Sequence, residues 1–259
     1  MSNTFSFKRF TMLFKKHTLE HGKTYLLSSA VLAGLLFISL GFISYINHGD
    51  LQPGSQGVIF VIFLLFAGSI FTSLIFAELG DKKKAVPVLT LPASHLEKYL
   101  IGWVYSFIIY QLVYIGLFYA VDGIVLSISN TAPSGKLQLV NLLDDNSKFY
   151  YVFTIYALFN ALTLCGAIWF EKLHFIKTAF LFFIFVLVLT LINQPVLQAI
   201  IGRDIFKGVL FENLRFDDGG HYRSIEPGFD APVVHFIITM LISVLVWGCA
   251  YFKLREKEV

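Results

Sequence analysis

Charge is scarce in this chain, and none of it lies in the middle of the long apolar runs. Only 14% of the 259 residues are Asp, Glu, Lys or Arg, against roughly 25% in an average soluble domain, and 56% are hydrophobic. One large soluble domain is thereby excluded. Cysteine is nearly absent: Cys165 and Cys249 both fall inside apolar runs, which rules out a disulfide framework and any metal-ligand spacing. No extended basic patch exists either. The net charge is +3 and the basic residues form short clusters at the ends of apolar runs, so nucleic acid is not a partner. The apolar runs contain Ser69, Thr72, Ser73, Gln111, Asn160 and Thr163 but no mid-run Asp, Glu, Lys, Arg or His. Proton- or ion-coupled carriers usually need such ionisable groups inside the membrane, and their lack argues against a secondary transporter. Gly22-Lys23-Thr24 imitates the end of a phosphate-binding loop, yet His17 stands where that loop requires its first glycine. This chain has no nucleotide site, and any ATP must be hydrolysed elsewhere.

What is present is a series of apolar runs of about 20 residues, each long enough to cross ~30 Å of hydrocarbon. They predict an all-α membrane protein with six spans, near Tyr25–Ile46, Val58–Ala77, Ile101–Val121, Phe149–Phe170, Phe175–Asn193 and Val233–Phe252. Residues 1–259 form one membrane domain. The first run is too long for a signal-peptide core and lacks a small-residue cleavage site after it, so it is expected to be retained. Lys and Arg set the orientation, because positive residues near span ends resist translocation. The amino terminus, the loop between spans two and three, the turn between spans four and five and the carboxyl tail hold 14 of them, and the opposite side holds 6. Both termini are therefore expected in the cytoplasm.

Three segments outside the spans carry more information. Residues 1–24 contain Phe7, Phe10, Leu13 and Phe14 on one helical arc and Lys8, Arg9, Lys15, Lys16 and Lys23 on another, the pattern of a helix lying in the membrane interface. A solvated basic lead-in is the plainer alternative. The cytoplasmic loop 78–100 ends in Ser94-His95-Leu96-Glu97, a capping box in which the Ser94 hydroxyl accepts from the Glu97 N–H and the Glu97 carboxylate accepts from the Ser94 N–H. It starts the helix of the third span. Pro87 and Pro92 keep Val88–Leu91 out of regular helix, so an apolar stretch is held at the surface, where it meets either a partner or the protein's own spans. The outer segment 194–232 is too long for a simple turn. Its apolar first part, Pro195–Phe211, suits a re-entrant or interfacial helix pair, and Glu212–Pro232 is polar and loop-like.

His17-Thr18-Leu19-Glu20-His21 spells the inverted zinc-protease signature. It sits on a short basic arm with no soluble catalytic domain and no evident third ligand, and both His share the arc of Phe10 and Phe14. Packing or membrane contact explains them better. No catalytic residue, cofactor or metal site is expected.

The arrangement resembles the membrane subunit of a type-2 ATP-binding-cassette exporter, a bacterial ABC transporter permease. The residues that carry the resemblance are Thr90-Leu91-Pro92-Ala93-Ser94 followed by Glu97-Lys98, similar to the Leu-Pro-x-Ser stretch after the coupling region of such permeases. Lys82–Lys84 depart from the pattern, standing where family members often carry Arg beside Glu. The resemblance implies an interfacial helix before six spans, a coupling helix in the second cytoplasmic loop and re-entrant helices before the last span. It also implies a coupling surface made of Lys82, Lys83, Lys84, Val88, Leu89, Leu91, Ser94 and Glu97. The implied partners are a cytoplasmic ATP-binding-cassette ATPase, a second permease copy and membrane lipid, in a bacterial inner membrane. The chain would be no enzyme; it would pass force from ATP hydrolysis to a path for an amphiphilic or lipid-like substrate. The alternative is a membrane-embedded scaffold or assembly protein with no ATPase.

Overall fold

The computed structural model describes residues 5–80, 93–129, 139–142, 150–170, 173–201, 205–207, 214–218, 221–225 and 231–257. Among them, six helices are long and apolar enough to cross a membrane. They are α1 (Phe7–Ile46), α2 (Pro53–Gly80), α3 (His95–Ile128), α4 (Tyr150–Trp169), α5 (His174–Ile201) and α6 (Ala231–Lys257). The membrane-spanning part of the chain is all-α and multi-pass. Helices are the required choice here, since lipid offers no partner for an unpaired backbone N–H or C=O.

Contacts between distant residues fix the two ends of the bundle. At one end the Arg9 side chain of α1 meets Glu97 of α3, and Tyr99 of α3 packs edge-on against Tyr251 of α6 with ring centroids 5.6 Å apart. At the other end the Ser44 hydroxyl of α1 lies 2.6 Å from that of Ser129. The starts of α1 and α3 and the end of α6 thus gather at one pole, called the basic pole below, and the turn after α1 closes the opposite pole. That turn places His48 and Gly49 at positive φ, 53° and 91°, and lets the Gly49 N–H donate to the Ser44 carbonyl at 2.8 Å. Gly takes such a backbone without a Cβ clash.

Two apolar clusters fill the interior. Leu36 and Leu40 of α1, Phe60 and Leu64 of α2, Tyr114 and Phe118 of α3 and Tyr156 of α4 form the one nearer Ser44. Phe76, Tyr99, Leu164, Ile168, Ala250 and Leu254 form the one near the basic pole. The short segment 139–142 reaches back into the first cluster, where Val140 and Leu142 are buried. Buried Gln56 anchors it by accepting from the Val140 N–H at 3.0 Å, and the Tyr119 hydroxyl donates to the Val140 carbonyl at 3.0 Å.

Three expectations from sequence change. The interfacial segment 1–24 is not a separate helix over its described residues: α1 runs unbroken for 40 residues. At 1.5 Å per residue that is about 60 Å, twice the hydrocarbon thickness. No proline interrupts it, and its aromatic arc docks on α3 instead of lying apart. The helix pair expected over Pro195–Phe211 is absent from the residues described there. The helix of the fifth span continues through Pro195 to Ile201, and Ile205–Lys207 is a strand (β1). Proline's missing donor and its clash with the carbonyl one turn back are tolerated in membrane helices, where neighbouring groups re-satisfy the freed backbone. β1 pairs antiparallel with β2 (Leu214–Asp218), which pairs antiparallel with β3 (His221–Ile225) in the register Leu214 to Ile225 and Asp218 to His221. Asp122, one residue past the expected end of the third span at Val121, sits inside α3 and is fully buried.

Candidate functional site

The capping box at the start of α3 forms as its spacing requires. The Ser94 hydroxyl accepts from the Glu97 N–H at 3.2 Å, and the Glu97 Oε2 accepts from the Ser94 N–H at 3.0 Å. The second carboxylate oxygen is taken by α1: Oε1 accepts from the Ser6 N–H at 2.7 Å and from the Arg9 guanidinium at 3.1 and 3.3 Å. Ser6 precedes the first residue of α1 and makes no capping bond with its own side chain, so Glu97, which accepts its N–H, serves the starts of two helices at once. Glu97 has no exposed side-chain surface, whereas Arg9 keeps 33% of its own. A carboxylate this enclosed is stable only because both oxygens accept hydrogen bonds and its charge is matched. The result is a rigid joint between α1 and α3.

Above the joint the two helices remain in contact through aromatic rings. Phe14 stacks on Tyr105 at 5.0 Å, and the His17 ring lies 4.6 Å from both Tyr105 and His21. The His17 Nε2 is engaged with the Tyr25 hydroxyl at 2.7 Å, and the Thr18 hydroxyl bonds that of Tyr105. The zinc-signature histidines are thus built into an α1–α3 seam, with the His17 Nε2 already occupied. Among the described residues no group of three His, Cys, Asp or Glu side chains could hold a metal ion.

At the same level α3 widens into a π-helical turn over Val104–Ile109. Such turns misalign the backbone and expose carbonyls. The Tyr156 hydroxyl of α4 exploits this one, donating to the Ser106 carbonyl at 2.6 Å. Nearby, Asn160 of α4 donates to the Thr72 hydroxyl of α2 at 2.9 Å and accepts from the Trp247 indole of α6 at 3.1 Å. Thr72 passes its own proton to the Gly68 carbonyl at 2.8 Å, and the Tyr99 hydroxyl of α3 donates to the Trp247 carbonyl at 2.9 Å. Four spans are therefore cross-linked by polar groups inside the bundle.

The residues expected to form a coupling surface divide in two. Lys82, Lys83, Lys84, Val88, Leu89 and Leu91 lie outside the described residues. Ser94 and Glu97 are buried, 6% and 0% exposed, with their polar atoms engaged in the helix cap and with α1. Sequence reasoning missed Ser6 and Arg9 as the partners of Glu97, and Tyr105 as the partner of Thr18 and His17. It also missed Asp122, whose two carboxylate oxygens have no hydrogen-bond partner among the described residues. No protein-family model, curated protein or solved structure matches the chain.

Proposed function

We propose that the chain is the membrane subunit of an ATP-driven exporter of the ATP-binding-cassette type, inserted in a bacterial inner membrane with both termini in the cytoplasm. The observation that supports this reading best is the Glu97 joint. The segment 81–92 leads directly into Ser94, and Ser94 is bonded through Glu97 to α1. A displacement applied to that segment by a cytoplasmic ATPase would thus be delivered to two spans together. Rigid-body tilting of packed helices is an established way to open a path, because packed cores switch between arrangements more readily than they deform. No covalent chemistry is needed in this subunit. A second copy would complete the path, and an amphiphilic or lipid-like molecule suits walls built from Phe, Tyr, Ser and Thr.

The test is co-purification of the full chain with a candidate ATPase from its own genomic neighbourhood. Leu89→Asp and Leu91→Asp place a charge in the apolar stretch and should each cut recovery of the ATPase at least tenfold, with the permease still folded. Equal recovery with wild type and both variants would remove the coupling role.

A further inference from the structure

A cleft of about 440 Å³ runs between α1, α2 and α3 on the flank of the bundle, within the size range of small-ligand sites. Its rim is lipid-exposed: Leu27, Val31, Ile70 and Leu74 are each about half or more exposed. Its floor is buried and aromatic, made by Tyr105, Tyr110 and Tyr114. The hydroxyls of this floor are already spent inside the protein. Tyr114 donates to the Phe60 carbonyl at 2.8 Å, Tyr110 points at the Phe63 and Leu64 carbonyls at 3.4 and 3.5 Å, and Tyr105 is held by Thr18. Tyr25, at the end toward the basic pole, is held by His17. The floor leaves only ring faces to an occupant, and the polar groups elsewhere in the lining are the hydroxyls of Ser28 and Ser29 on the α1 wall. A sugar or peptide would find no polar partner on such a floor, and a hydrocarbon chain would lose nothing there.

The end of the cleft nearest the basic pole has the opposite character. On a helix, residues four apart are neighbours, so His21 lies one turn before Tyr25 and Lys23 one turn before Leu27. The first five turns of α1 carry Lys8, Arg9, Lys15, Lys16 and Lys23 against the single acid Glu20. Arg9 is engaged with Glu97, and Lys16 lies 3.7 Å from Glu20. Lys8, Lys15 and Lys23 have no acidic partner among the described residues. An apolar slot with an uncompensated ammonium one turn before its rim residue Leu27 is complementary to one kind of molecule.

We propose that this cleft is a binding site for an anionic phospholipid of the leaflet at the basic pole, with one acyl chain against Tyr105, Tyr110 and Tyr114 and the phosphate held by Lys23, one turn before the rim residue Leu27. The site does not depend on an ATPase partner. It also explains why a basic amino-terminal arm is fused to the first span as one helix: the arm fixes the height of the cations relative to the cleft.

The probes are phosphatidylglycerol and phosphatidylcholine with identical oleoyl chains, offered together to the purified full chain, and retention is read by native mass spectrometry. Wild type should retain phosphatidylglycerol at least fivefold over phosphatidylcholine. Lys23→Gln should lower that preference by about fivefold, the effect of one charge at a membrane surface. Ala67→Phe fills the cleft and should lower retention of both lipids while leaving their ratio alone. Equal retention of the two lipids by wild type, or an unchanged preference in Lys23→Gln, would overturn the proposal even if Ala67→Phe fails to fold. So would a disulfide between copies formed by Val31→Cys with Cys165 and Cys249 replaced by Ala, since a second copy would then cover the cleft.

Discussion

α4 and α5 follow each other in sequence and are both predominantly apolar, yet they sit in opposite places. In the best membrane-spanning window of each, 56% of the α4 residues are buried inside the protein and only 6% of those of α5. Side-chain size and polarity separate them. α4 turns Ala157, Ala161 and Ala167 inward with Thr154, Asn160 and Thr163, whereas α5 presents Phe180, Phe183, Leu187 and Leu191 outward. Lipid tails are as apolar as leucine, so a greasy helix gains little by leaving them for a protein neighbour. A helix with small and hydrogen-bonding residues gains close contact and polar pairing. Between these two helices the inner one is therefore marked by alanine, threonine and asparagine and the outer one by large apolar side chains.

The sharpest way to break this contrast is to enlarge a small residue on the α4 seam. A Cβ placed on Gly68 of α2 would run into the rings of Tyr156 and Tyr110. Gly68→Leu should destabilise the bundle by about 3 kcal/mol or prevent its assembly, the upper range for overpacking. Thermal denaturation in lipid nanodiscs reads the loss. An unchanged melting temperature would show that α2 and α4 are less tightly joined than their geometry states.

Removing polar pairing from the same centre should cost less. Asn160→Leu leaves the Trp247 indole N–H without its acceptor, although the Thr72 hydroxyl keeps the Gly68 carbonyl. Interhelical hydrogen bonds in membranes contribute about 1 kcal/mol, because the separated helices also find partners. Trp247→Phe should then cost less in the Asn160→Leu background than in wild type. Equal cost in both backgrounds would mean that the two residues are not coupled.

The same contrast explains what could be seen in advance. The spans were legible because the length of an apolar run is a property of contiguous residues. The Ser94–Glu97 cap was legible for the same reason, its two members being three residues apart. The other half of Glu97 was not, since Ser6 and Arg9 lie 91 and 88 positions away and nothing local marks them. The rank of α4 and α5 was hidden because hydropathy is blind to burial when the solvent is itself apolar. Asp122 was hidden behind a boundary set at Val121, although Val125 and Leu126 continue an apolar face one turn on. The hairpin of β2 and β3 did carry a signal: Gly219-Gly220 between Arg215-Phe216 and Tyr222-Arg223 is a two-residue turn pair flanked by strand-forming residues. A helical expectation for the preceding segment obscured it.

The smallest expected effect tests the peripheral helix. Leu187 of α5 is 59% exposed, and its neighbours Phe183 and Leu191 are 67% and 66% exposed. In the isolated chain this side chain exchanges one hydrocarbon surrounding for another on assembly, so Leu187→Ala should change stability by no more than about 0.5 kcal/mol. α5 itself remains docked on α4 at the other side, where Gly166 comes against the Thr178 side chain and leaves no room for a Cβ. The measurement is again the melting temperature in nanodiscs, at protein-to-disc ratios that hold one copy or two. A loss that arises only with two copies per disc would identify the outward face of α5 as a surface between copies, and so turn the most lipid-exposed span into the joint of a dimer. A loss at one copy per disc would contradict the account of α5 as peripheral and place Leu187 against the protein's own chain.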